Sequence, residues 1–183
     1  MSNASSLGAD ANTMMKIHTR SGSEGIVEFT NQSRARAYLG AAQTITSATW
    51  TQVSFDNTSF DSKSEYSTTN YQFTCKEAGY YQVNSRVEFD FTSINTINNT
   101  SAYCSIAIYV NNTIYSYGNN LGLRIYNTAD DIIKNNNAPV VTDVIYLTAG
   151  QTIRIYAYQT SGTNTITLRP NSSVSYVSIH KLS

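Results

Sequence analysis

This chain predicts an all-β protein, folded as an antiparallel two-sheet sandwich, on three observations. Segments rich in Thr, Ile, Val and Tyr recur from about Ala41 onward, separated by clusters of Asn, Gly and Ser. From Tyr80 to Phe91 the residues alternate. Tyr81, Val83, Val87, Phe89 and Phe91 fall on one face, and Gln82, Asn84, Arg86, Glu88 and Asp90 on the other. A period of two held that long describes a strand with one buried and one wet face; a helix would scatter these residues around its circumference. The two prolines, Pro139 and Pro170, fall in loops, where a missing N–H interrupts no ladder.

Residues 1 to about 24 are small and polar with one brief apolar patch at Met14, Met15 and Ile17, and read as a flexible or partner-ordered tail. Met1–Ala4 is compatible with native sequence and with a vector remnant. Ile26, Val27 and Phe29 form a short β-like island, followed by a run from Arg34 to Leu39 in which Arg34-Ala35-Arg36 flanks the entry to the sandwich. After the strand at Tyr80–Phe91 come strand candidates at Ala102–Val110, Thr113–Tyr117 and Leu121–Tyr126. Asn111-Asn112 is placed as a two-residue hairpin turn, because Asn tolerates positive φ. Val140–Leu147, Thr152–Tyr158, Thr165–Leu168 and Ser173–Lys181 complete the set, with Ala149-Gly150-Gln151 as one corner and a Ser-Gly-Thr-Asn turn as another. The expected division is a polar N-terminal tail or anchor over residues 1–40 and the sandwich over 41–183.

A chain of 183 residues suits one domain, able to bury roughly 70% of its unfolded surface without a disulfide or metal staple. Charged residues make up only 13% and the net charge is zero, so the basic field that phosphate binding requires is missing and no nucleic-acid partner is expected. Asn, Thr and Ser supply the polarity instead, as suits outward-facing β-proteins. The N-terminus has no apolar signal-peptide core, and no run of roughly 18 apolar residues offers a membrane span.

Cys75 and Cys104 lie on separate strand candidates. A disulfide or half a metal site is conceivable, and two small buried side chains are the simpler reading. His18 and His180 stand at the chain's extremities without ligand spacing, so no metal and no cofactor are expected. Asp56 with Asp61, or Asp130 with Asp131, could be paired on paper, but general acid–base work needs two carboxyls held across a pocket in different environments. They read as solvated turn residues, and no catalytic residue is assigned. The 14 tyrosines are the one abundant versatile group. Tyr66, Tyr71 and Tyr81 are expected to be buried. Tyr115, Tyr117, Tyr126, Tyr156 and Tyr158 are candidates for exposure, the last two sharing a face with Arg154 opposite Ile153 and Ile155. A ligand contact and a contact between copies both remain open for that surface.

Phe55, Asp61, Tyr66, Phe73, Gly79, Tyr81 and Val83 form a spaced ladder that resembles the signature of the C1q/TNF-like jelly-roll family. Val83 stands where the family usually has Phe, and Ser85 where it usually has another aromatic. The corner Ala149-Gly150-Gln151 is similar to the family's Ala-Gly-Asp, and the resemblance covers roughly residues 43 to 182. It implies a jelly roll that assembles as a homotrimer. Some relatives bind calcium at the trimer apex, for which Asp130-Asp131 is the only local cluster. Many members carry a collagen stalk, and no Gly-x-y repeat precedes the jelly roll here.

The combination points to a non-enzymatic virion structural protein of a bacteriophage: a head fibre, capsid decoration or tail tip. Its jelly roll would face a host-surface glycan or protein, and its N-terminal tail would dock on other virion proteins. Its expected place is the virion surface. The alternative is a bacterial surface or spore-coat adhesin on the cell surface. A glycan-processing enzyme on the same scaffold would need converging carboxylates, for which no motif is seen.

Overall fold

Alternation along Tyr80–Phe91 sets the plan of the molecule. Tyr81, Val83, Val87 and Phe89 expose nothing, and Ser85 and Phe91 expose 3%. Each large apolar side chain buried this way contributes about 1.5–3 kcal/mol. The computed structural model describes residues 32–91, 101–123, 136–162 and 165–182, together with the backbone of four short strands, Lys16–His18, Ile26–Glu28, Tyr126–Thr128 and Asp131–Ile133. Among these residues every regular element is a strand, every pairing is antiparallel, and no helix is long and apolar enough to cross a membrane.

A five-stranded sheet runs in the order Val140–Leu147, Gly79–Arg86, Tyr176–Lys181, Arg34–Tyr38, Asn57–Asp61. The second sheet is centred on Tyr103–Val110 and Thr152–Gln159. Thr113–Tyr117 and Leu121–Gly122 pair with the first of these. Thr51–Gln52 and Gln72–Thr74 pair with the other, and Tyr66–Ser67 extends the edge to give seven strands. Phe89–Asp90, Ile166–Leu168 and Gln43–Ile45 form a separate three-stranded sheet. The core lies where Tyr81, Val83, Ile145, Val177 and Ile179 of the five-stranded sheet meet Phe73, Ile106, Ile108, Ile153 and Ile155 of the second. The ladder acts across this seam: Phe73 and Tyr81 meet edge-on with ring centroids 5.7 Å apart, and Phe55 is buried in the same core. Asp61 has a different task. Its carboxylate accepts the backbone N–H groups of Glu65 and Tyr66 at 3.0 and 2.8 Å, locking the turn between two strands.

Several expectations hold at the level of single residues. Val140–Leu147 and Thr113–Tyr117 have the expected bounds, and Asn111 and Asn112 both take positive φ (48° and 66°), as a two-residue hairpin turn demands. Both prolines lie outside strands. Cys75 and Cys104 are buried and unpaired.

Others are corrected. The strand expected over Tyr80–Phe91 stops at Arg86, and Phe89–Asp90 joins the three-stranded sheet. The ladder breaks because Val87 N–H turns to Pro139 O and Glu88 N–H to the Ser175 hydroxyl. The last strand begins at Tyr176 rather than Ser173, because Val174 and Ser175 N–H both close a turn on Asn171 O. Leu121–Tyr126 is not one strand: Leu121–Gly122 and Tyr126–Thr128 are separate, and residues 124 and 125 lie outside the described residues. Tyr81 is buried as expected, but Tyr66 and Tyr71 are only half-buried.

The expected boundary at 40/41 also moves. Arg34–Tyr38 is a full member of the five-stranded sheet, with Ala35 and Ala37 buried in its core, and the compact unit begins at Ser33. In the preceding unit, Lys16–His18 pairs antiparallel with Ile26–Glu28. Residues 1–15, 19–25 and 29–31 of the expected tail lie outside the described residues.

Candidate ligand-binding face

The strand Tyr103–Val110 is covered on both sides. Cys104, Ile106 and Ile108 point into the core, yet Ser105 and Ala107, which alternate with them, are buried too. Register explains this. Ser105 pairs with Tyr158, and Ala107 with Tyr156 on one side and Tyr117 on the other, so small residues lie among large rings on one sheet face. Tyr103 and Tyr109 fall on the same face at the two ends of the strand.

The rings form a continuous layer. Tyr109 stacks on Tyr156 with centroids 3.9 Å apart, and Trp50 stacks on Tyr158 at 4.9 Å with 30° between planes. Trp50 also approaches Tyr109 at 6.2 Å and Tyr117 at 6.0 Å, and Tyr158 approaches Tyr103 at 5.8 Å. Such offset and tilted pairs are each worth about 0.5–1.5 kcal/mol beyond area burial. Burial, and then the neighbouring Tyr158, push the Tyr103 phenol above its ordinary pKa; burial, Tyr156 and Tyr117 do the same for Tyr109. Both therefore stay neutral hydroxyls at physiological pH.

At one end of this layer an open groove of about 500 Å³ is lined by Trp50, Tyr103, Tyr117, Gly118, Asn120 and Tyr158. Gly118 is there for a steric reason. A Cβ at this position would come within 2.5 Å of Val140 O and 2.9 Å of Ile106 O, both backbone atoms.

Of the residues singled out in the sequence, Arg154, Tyr156, Tyr158 and Tyr117 share this face. Tyr117 is 66% exposed. The Arg154 guanidinium donates to the Gln72 side chain across the sheet. Tyr115 is exposed at the irregularity of the hairpin and, among the described residues, is not one of the rings that join the layer. The side chain of Tyr126 lies outside the described residues. Sequence reasoning missed Trp50, Tyr103, Tyr109 and Asn120. The pattern Tyr103-x-Ser105-x-Ala107-x-Tyr109 was the available signal, small residues framed by tyrosines at strand period.

A second face carries exposed rings. On the outward side of the five-stranded sheet Phe60, Tyr80, Val140, Val144 and Tyr146 are each about half-exposed. Register lines up Thr142, Asn84, Ser178, Arg36 and Phe60 across all five strands. The Arg36 guanidinium sits 4.3 Å from the Tyr176 ring centroid and donates to Ser172 O, so its charge is held within the face. Burial and then Arg34 hold the His180 imidazole below its ordinary pKa, beside Phe60.

The suspected carboxylates are turn residues. Asp61 is committed to Glu65 and Tyr66, and Asp56 accepts Gly40 N–H and the Asn57 amide. Among the described residues no three His, Cys, Asp or Glu side chains converge as metal ligands. The side chains of Asp130 and Asp131 lie outside the described residues.

The fold is similar to that of known structures. Eiger TNF from S. frugiperda aligns with TM-score 0.54 at 8% identity, over 83% of this chain and 93% of that one. The globular domain of zebrafish complement 1qA aligns with TM-score 0.50 at 11% identity, over 82% and 98%. Murine APRIL aligns with TM-score 0.53 at 12% identity, over 83% and 100%. This is a C1q/TNF-like jelly roll. No protein-family model and no curated protein matches the chain. At these identities the likeness is one of fold, and what the jelly roll does rests on its own two faces.

Proposed function

We propose that this jelly roll is the non-enzymatic binding head of a bacteriophage particle. Three copies associate through the outward face of the five-stranded sheet and present the seven-stranded faces to a host surface. The observation that carries this reading is the apolar patch at one edge of the first face. Tyr80, Tyr146, Val144 and Val140 gather four half-exposed apolar side chains on two adjacent strands, with Phe60 at the opposite edge, more than a face that meets only water calls for. Joining copies there leaves the aromatic layer and groove of the other sheet outside the contact. A modest contact made three times gains avidity through effective concentration. The virion assignment draws on the sparsely charged, Asn/Ser/Thr-rich composition and on the N-terminal segment, which in this reading docks on the particle.

Light scattering tests the assembly. The expected mass is about three times 20.2 kDa, and a monomer at micromolar concentration overturns it. Gene neighbourhood tests the setting: flanking capsid and portal genes support the virion, whereas cell-wall anchoring or spore-coat genes support a bacterial adhesin.

A further inference from the structure

We propose that the groove lined by Trp50, Tyr103, Tyr117, Gly118, Asn120 and Tyr158 binds an uncharged sugar ring. This inference rests on the reading of the chain as a binding head and names the ligand class of its outer face. A pyranose has an apolar C–H face and a rim of hydroxyls. It therefore calls for flat ring surface on one side and neutral hydrogen-bonding groups around it, and the groove offers both.

Trp50 is held flat on Tyr158, and Tyr117 stands 6.0 Å away with its plane tilted 49° from the indole. The two rings make an open wedge. Its floor is fixed by stacking, and its wall, Tyr117, is the most exposed aromatic among the described residues. Rings already packed on one another lose little freedom when a ligand arrives, which favours affinity from a small contact. Tyr103 and Tyr158, with ring centroids 5.8 Å apart, each bring a hydroxyl to the groove lining, and the exposed Asn120 amide adds two donors and an acceptor. Gly118 lets the groove wall pack directly against Val140 O and Ile106 O, where any side chain would strike backbone. A volume of about 500 Å³ lies within the range of small-ligand sites, ~300–1,000 Å³.

Charge selects among ligands. None of the six lining residues is charged. A sialic acid, a phosphorylated sugar or a nucleic-acid strand would bring anionic groups into a groove with no lining cation, and single-strand sites pair their stacking rings with a basic track.

Trp50 is the only tryptophan of the chain, so its fluorescence reports on the groove directly. The full chain is titrated with a panel of uncharged oligosaccharides and a matched acidic panel, with calorimetry on any that respond. A saturable change with an uncharged glycan is expected, weakened by about tenfold in Tyr117→Ala and again in Asn120→Ala, both at exposed positions. Silence across the uncharged panel, a response confined to acidic glycans, or unchanged affinity in Tyr117→Ala overturns the inference. So does binding to a host-surface protein that survives its deglycosylation while free sugars stay silent. Light scattering on the same sample separates the two levels. A trimer with a silent groove overturns the sugar site alone, and a monomer that binds sugar overturns the assembly alone.

Discussion

Tyr80 and Tyr146 are directly paired on adjacent strands, and their rings meet edge-on with centroids 5.2 Å apart on the outward face of the five-stranded sheet. Edge-on packing fixes both rings and so shapes the face. In the proposed trimer, a carboxylate at this point would be buried in three symmetric positions without a partner. Tyr146→Asp is therefore expected to reduce the scattering mass to that of one chain while circular dichroism stays that of a β-protein. Tyr117→Asp, on the other sheet, is expected to leave the mass unchanged. Equal loss of mass in both variants would mean that the faces are wrongly assigned.

Glu88 gathers a polar knot where the chain leaves one sheet for another. It accepts Arg169 at 2.5 Å, Arg86 at 3.0 Å and the Asn136 amide at 3.2 Å. Burial pushes its carboxyl up, but the bonds from Arg169, Arg86 and Asn136 outweigh burial and hold it below the ordinary carboxylate range. A depressed folded-state pKa gives stability that is complete above the unfolded value, about 4.3, and is lost as pH falls through the folded value. Urea midpoints should therefore drop as pH falls below about 4. Glu88→Gln should be less stable at neutral pH by about 1–3 kcal/mol and flatter in that acid window. An identical acid profile in the variant would show that the knot is not the titrating group.

Gly118 sits where two backbone carbonyls leave no room for a methyl group. Val140 O and Ile106 O belong to strands of different sheets, so neither yields without moving a ladder. Gly118→Ala is expected to lower the urea midpoint by the equivalent of about 1–3 kcal/mol. A neutral substitution would mean that the sheets approach less closely at this corner.

Cys75 and Cys104 are buried and free, and burial pushes the Cys104 thiol up to about 12. Since the thiolate is the reactive form, neither cysteine should react with a thiol reagent at pH 8 while the fold is intact, and both should react in denaturant. Rapid native labelling of either would show that the sheets open locally around it.

Much of this architecture was legible because strand period is a local signal. Val140–Leu147 reads as a strand from its own residues, and Asn111-Asn112 reads as a turn because Asn accepts the φ that the turn requires. What was not legible depends on partners distant in sequence. Nothing local reveals that Ala35 pairs with Ile179, which is what brings Arg34–Tyr38 into the jelly roll. Nor does Val87 itself show that its N–H will turn to Pro139 and end the ladder. The face bearing Tyr156 and Tyr158 follows from alternation, but Trp50 reaches it from a separate loop, and only the fold brings the two rings together. Ala107 is the sharpest case: its burial comes from its neighbours' rings, not from its own hydrophobicity.

A central strand roofed by tyrosines on one side and isoleucines on the other is shut off from water along most of its length. Its amides should be among the slowest in the molecule to exchange with deuterium, opening only when the whole domain opens. In the proposed site, Tyr103, Tyr117 and Tyr158 stand on strands of this same sheet, whereas Trp50, Gly118 and Asn120 are brought to the groove by loops, so substitutions in those loops would retune the site without disturbing its base.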